Sequence, residues 1–227
     1  MVEVSEDGPT LAQPAVDVHM AQAFIPYSIR VGQDYPGLAT ELGRLVNDGY
    51  LELMSSALAI GTGSSQPWGA FITTMTTTTV TTDNTFGAPD IDLTWAALGE
   101  RFRSRSVWFM NVDVENDIRG FGSGTATSRF TVDQTREGIS LLNGRPVVLS
   151  DYAPTWAGTD AAAILVLGDF SNYVVAQRAG MTVEYVPHVF GATTGRPTGQ
   201  RGLYAYARVG ADKVVQNAFR RLKNITT

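Results

Sequence analysis

Hydrophobic and polar positions along the chain fall into a few distinct patterns. Residues 1–15 hold Gly8, Pro9 and Pro14 without any period, which reads as an extended arm. Val16, Val18 and Met20 then alternate with Asp17 and His19, and Phe24-Ile25 follows. That alternation predicts strand, ended by a turn at Val31-Gly32-Gln33. The strongest signal is a helix over about 36–60. Leu38, Leu42, Leu45, Val46, Leu53, Ala57 and Ile60 recur at three- and four-residue steps, with Glu41, Arg44, Asp48 and Glu52 largely opposite. Asp34 is placed to accept the free amide hydrogens at the start, Pro36 suits the first turn, and Gly61 closes the end. Such a helix is roughly 35 Å long, against a radius of gyration of ~17 Å for a compact chain of this size. It is a beam that crosses the whole molecule.

The threonine-rich stretch 73–82 predicts an exposed strand, because β-branched side chains fit a pleated surface. A second helix is expected over 89–102, with Ile91, Trp95 and Leu98 on one face. Residues 107–110 read as a buried strand and 112–121 as a helix, followed by a loop through Gly120, Gly122 and Gly124 to about Arg129. Further strands are expected at 146–149, 164–167, 173–177, 181–186 and 203–209. A Gly-, Thr- and Pro-rich stretch separates the last two at 191–202, and a final helix is expected over 212–222. No internal repeat or linker interrupts the chain. The class is α+β.

Composition narrows the function. The 227 residues suit one large domain or two sub-domains that share a core. Hydrophobic residues make up 44% and charged ones only 17%, against roughly 25% in an ordinary soluble domain. A surface so poor in charge implies cover by sister subunits. The net charge of −5, with no basic cluster longer than Arg220-Arg221, argues against a general nucleic-acid binder, and no sequence-specific nucleic-acid binding is expected. The absence of cysteine excludes disulfides, thiolate metal sites and cysteine nucleophiles. The first fifteen residues are polar and acidic, unlike a signal peptide, and the longest apolar run, 161–167, is far shorter than the ~20 residues of a membrane span. The expectation is a chain made inside the cell with no membrane partner.

Tests for chemistry return little. A P-loop needs Gly-Lys-Ser/Thr, and the two lysines follow Asp212 and Leu222 instead. Gly120-Phe-Gly122-Ser-Gly124 follows a helix where a dinucleotide loop would follow a strand. No Gly-x-Ser-x-Gly elbow occurs. His19 and His188 lack a second histidine at ligand spacing. Asp90 and Asp92, or Asp113, Glu115 and Asp117, are better explained by helix N-termini than by a cation. No catalytic residue, cofactor or metal is expected. Arginine stands out, with 15 Arg against two Lys. Guanidinium suits interfaces because it pairs bidentately and is weakly hydrated, although the codon bias of a GC-rich genome also yields such a count.

Three segments together carry a family resemblance. Gly61-Thr-Gly-Ser-Ser-Gln-Pro-Trp-Gly69 resembles the Gly-x-Gly-x-x-x-Pro-x-Gly turn that ends the long spine helix of tailed-phage major capsid proteins. Leu142-Asn-Gly-Arg-Pro-Val-Val-Leu-Ser-Asp151 is similar to that family's Leu-x-Gly-Arg-Pro-Val stretch. Leu167-Gly-Asp-Phe and the following Val183-Glu184 resemble its Gly-Asp-Phe and Val-Glu elements. The likeness points to actinobacterial phages and prophages.

The resemblance implies a Hong Kong-97-type fold with a spine helix, a peripheral domain and an axial domain. Residues 1–35 would be a remnant of the extended loop with a peripheral strand, and 36–88 the spine helix and peripheral domain. Residues 89–180 would form the axial domain, and 181–227 peripheral strands, a three-fold loop and a C-terminal helix. It implies a structural shell subunit that forms pentamers and hexamers around DNA in a virion, made in the bacterial cytoplasm. Partners would be other copies or full-length capsid protein, with portal and scaffolding proteins in addition. Glu41, Arg44, Arg129, Arg196 and Arg201 are the subunit-contact candidates, and Gly61, Gly63, Pro67 and Gly69 form the turn that ends the spine. Family members carry an upstream arm and first loop limb that the sequence as given does not show. Two other readings therefore stay open: a truncated prophage fragment that interferes with assembly, and an encapsulin-like compartment. Some relatives weld subunits by an isopeptide bond from a loop Lys to an Asn; no lysine precedes Lys213, so none is expected from the part of the loop present in this sequence.

Overall fold

The computed structural model describes residues 15–72, 75–121, 133–134, 140–157 and 162–224. The expected arm and the loop carrying Arg129 lie outside these residues. Strand β1 (His19–Ser28) runs directly into a short helix, α1 (Ile29–Asp34). The Ser28 hydroxyl accepts from the Arg30 amide at 3.3 Å, and this cap winds the expected turn at 31–33 into helix. The beam is present as α2 (Leu38–Ile60), 23 residues long. Its start differs from expectation. Asp34 closes α1, and α2 begins after Gly37, whose φ of 105° lets the chain reverse there. The amides of Thr40 and Glu41 both donate to the Gly37 carbonyl. At the other end the Gly61 amide donates to the Ala57 carbonyl at 2.9 Å, as a C-terminal cap should.

Strand β2 (Thr76–Thr79) and helices α3 (Ala88–Ala97) and α4 (Glu100–Arg103) follow. One helix was expected over 89–102, but Leu98 turns extended and Gly99 begins α4. Arginine compensates the break. Arg103 donates to the carbonyls of Ala96 and Leu98, each at 2.8 Å, and Arg220 to that of Ala97 at 3.0 Å. The last carbonyls of α3 are thereby satisfied without continuing the helix. Strand β3 (Val107–Met110) leads into α5 (Val112–Gly120), capped by the Asn111 side chain.

The remainder is β structure: β4 (Asp133–Gln134), β5 (Ser140–Leu142), β6 (Arg145–Leu149), β7 (Ala163–Gly168), β8 (Tyr173–Val186), β9 (Gln200–Lys213) and β10 (Phe219–Lys223). The strands expected at 173–177 and 181–186 are one, with register shifts between Gln177 and Thr182. The expected helix over 212–222 is absent. Its residues complete β9, make a 3-10 turn over Gln216–Ala218, and form β10. Phe219 and Leu222 are three apart, which also fits a helix, but β10 pairs with β7 on one side and β2 on the other. Tertiary pairing overrides the local preference.

Two sheets result. A small antiparallel one has the order β1-β9-β8, and a mixed one runs β2-β10-β7-β3-β6-β5-β4. The main core lies on the second sheet. All six residues of β7 are buried, and Trp108 and Met110 are fully enclosed. Trp108 stacks on Trp95 of α3, while Phe109 meets Phe71 and Phe170. Consecutive residues of β3 thus bind the two faces of the sheet to different layers.

Candidate assembly surfaces

The turn after α2 joins both sheets to the beam. Residues Thr62 and Trp68 form a bridge, the Gly69 amide donates to the Gly61 carbonyl at 2.8 Å, and Ala70 and Phe71 donate back to Leu58 and Ala59. The backbone folds so tightly that glycine is demanded. A Cβ on Gly61 would overlap the carbonyl oxygens of Pro67 and Ala57, and one on Gly63 would overlap the Trp68 indole. Gly63 also has φ +74°. The Trp68 amide donates to Ala211 of β9 at 3.0 Å, and the Trp68 carbonyl accepts from the Tyr173 hydroxyl at the start of β8. Burial, with the Asp212 carboxylate nearby, pushes the Tyr173 hydroxyl well above its usual pKa. Gly61, Gly63, Pro67 and Gly69 all lie in this tight turn. Trp68 and Tyr173 were missed, although Trp68 stands inside the motif.

Along α2 the apolar stripe is only partly covered. Val46, Ala57 and Ala59 are buried, but Leu45 is 62% and Leu53 53% exposed. A groove of about 270 Å³ lies between Val46, Gly49 and Leu53 of the helix and Ala21, Ala205 and Ala207 of the small sheet. A larger hollow of about 460 Å³ is lined by Leu58, Phe109, Val148 and Phe170 where the helix faces the second sheet. Exposed apolar surface of this kind is where a docking partner or ligand gains by covering it. Glu41 and Arg44 are exposed near the start of α2.

The Gly/Thr/Pro stretch is the tip of the β8–β9 hairpin. Its backbone closes on itself through Gly191 to Arg196 at 2.9 Å, Gly195 to Gly191 at 2.9 Å and Thr198 to Val189 at 2.9 Å, and Ile29 of α1 donates to Gly199. Phe190 on this tip is 60% exposed and Arg196 is exposed beside it. Arg201 is placed differently: its guanidinium lies 5.7 Å from the ring centroid of Tyr185 in the same chain. The structure brings Arg196 and Arg201 to one end of the small sheet, while Glu41 and Arg44 lie on the beam and Arg129 is outside the described residues.

Polar side chains elsewhere have structural employment. Asp90 accepts from the Thr81 amide and hydroxyl and from the Gly87 amide, fixing the start of α3. Glu115 pairs with Arg119 at 2.9 Å. His19 begins β1, and His188 lies beyond the far end of that sheet, roughly 30 Å away at the strand rise. Among the described residues no group of three or more His, Asp or Glu could hold a metal ion, and no helix is long and apolar enough to cross a membrane.

A family model for the phage capsid family matches residues 2–224. The chain belongs to that family. Solved structures with the same fold include the capsid of an empty GTA particle, 22% identical with a TM-score of 0.72 over 100% of this chain and 81% of that one. A solved structure from Gordonia phage Cozz is 13% identical, TM-score 0.64, covering 100% of this chain and 78% of its own. The holo-SrpI encapsulin complex from Synechococcus elongatus is 13% identical, TM-score 0.64, over 92% of this chain and 74% of that chain. No curated protein matches the sequence. The α+β capsid fold with its long helix is thus present.

Proposed function

We propose that this chain is a structural subunit of an icosahedral phage or prophage capsid shell, self-associating into pentamers and hexamers around packaged DNA. The family match over residues 2–224 carries the reading. Uncovered apolar surface along α2 and beside the second sheet supports it, because an isolated subunit would gain by covering that surface. In this reading α2 is the spine, the small sheet with α1 the peripheral domain, and most of 89–180 the axial domain. The hairpin tip with Arg196 is the three-fold contact. The location is the virion, after synthesis in the host cytoplasm, with portal and scaffolding proteins as further partners. The role is structural and not catalytic.

Light scattering with negative-stain microscopy of the same fractions tests this. Closed shells or five- and six-fold rings are expected; strict monomers at high concentration would overturn it. The likeness to the encapsulin complex favours one second reading, an encapsulin-like compartment. Purified particles that contain a distinct enclosed protein would support it, and particles filled with DNA would not.

A further inference from the structure

Charge is distributed unevenly around the second sheet. The register places Val107 beside Gly168, Gly168 beside Phe219, and Trp108 beside Val147. Arg105, Arg145 and Arg220 therefore share one end of the sheet, with α4 and its Arg101 and Arg103 adjoining. Each guanidinium is held in place. Arg105 binds the buried Asp169 carboxylate at 3.0 Å, and Arg145 donates to the Ser104 carbonyl at 2.6 Å. Arg103 and Arg220 cap α3, and the exposed Arg101 lies 4.4 Å over the Phe102 ring. A fixed guanidinium has five donors, and one or two bonds leave the others available for a carboxylate at little further entropy cost.

Helix α5 presents the opposite character. It begins just past Met110, at the end of β3 opposite to the one where Arg105 enters, and leads on to β4. Its outward face carries Asp113, Asn116 and Asp117, all exposed, next to Val112 at 41% exposure. Asp113 and Asp117 are one turn apart, so they repel each other, and only Asp113 sits in the first turn where the dipole compensates. Glu115 is already engaged by Arg119.

We infer that the exposed face of α5 docks, through Asp113 and Asp117, on the arginine end of the sheet in a second copy of this chain, with Arg101 as the principal partner. This rests on the shell-subunit reading and names one contact within its rings. Arg105 precedes β3 and Asp113 follows it, so the two groups sit at opposite ends of that strand. A head-to-tail contact between different patches is the arrangement that closes cyclic rings. Fixed guanidinia facing carboxylates specify neighbour and register more than they supply raw affinity. DNA is the weaker candidate for the arginine end, because the chain as a whole carries a net charge of −5.

The test is a charge exchange in the full chain. Arg101→Glu sets a carboxylate against the α5 carboxylates of the neighbour, and Asp113→Arg/Asp117→Arg sets guanidinia against its Arg101. Each variant, with unchanged circular dichroism, is expected to need at least about tenfold more protein than wild type to form rings in sedimentation velocity. An equimolar mixture is expected to recover association as alternating assemblies, with six-membered rings and no five-membered ones. Wild-type rings combined with variants that associate normally, or with a mixture that does not recover, would overturn the contact and leave the shell reading intact. A wild type that never associates overturns both. An Arg101→Glu variant that assembles normally but loses copurifying DNA assigns the arginine end to nucleic acid and overturns the contact.

Discussion

The hydroxyl of Tyr173 donates to the main-chain carbonyl of Trp68, 105 residues earlier in the chain. This bond ties the turn after the beam to β8 of the small sheet. The next backbone group of the same turn, the Trp68 amide, binds Ala211. One residue thus anchors the helix to both long strands. The beam is thereby fastened to the small sheet.

Tyr173→Phe leaves the Trp68 carbonyl without this partner. The expected cost is about 1–2 kcal/mol in urea unfolding, with no change in assembly geometry. The pH dependence carries a sign. A tyrosine with a raised folded pKa contributes stability fully below the unfolded value near 10 and loses it as pH rises through the folded one. Wild type should therefore lose more stability than Tyr173→Phe between pH 9.5 and roughly 11.

Gly63→Ala meets both a left-handed backbone and the Trp68 indole. A loss of at least about 2 kcal/mol is expected. Gly195→Ala, with φ +61° but open space around it, is the matched control and should cost only about 1 kcal/mol. Thermal or urea midpoints distinguish the two. Equal losses would show that backbone strain alone matters.

Leu45→Ser removes an exposed apolar group from α2. Monomer stability should change by no more than about 0.5 kcal/mol, while the concentration needed for assembly rises. A variant that assembles as wild type would remove Leu45 from the contact surface.

Arg196 and Arg201 separate by context. Arg201→Ala removes a guanidinium from the Tyr185 ring and is expected to cost about 0.5–1 kcal/mol of stability. Arg196→Ala should leave unfolding unchanged and reduce shell yield. Light scattering beside a denaturation curve reads both quantities.

Much of this was legible because the signals were local. The beam announces itself through Leu38, Leu42, Val46, Leu53 and Ala57, and its final turn through three glycines that no other residue could replace. What escaped was decided at a distance. Asp34 is a fitting cap in isolation, yet Ser28 starts a helix that Asp34 ends, and Gly37 takes over the reversal. The 89–102 segment has helical spacing throughout, and only arginines from α4 and β10 make a break at Leu98 tolerable. The 212–222 segment has a helical period that pairing with β7 and β2 overrules. The candidate contact residues were the least legible: Arg196 and Arg201 look equivalent in sequence, but the latter finds Tyr185 sixteen residues away in its own hairpin.

The most direct measurement is sedimentation velocity of the wild-type chain across a hundredfold range of concentration. The account predicts discrete pentamers, hexamers and larger closed species that grow at the expense of the 24.4 kDa monomer. A single monomeric boundary at every concentration would contradict it.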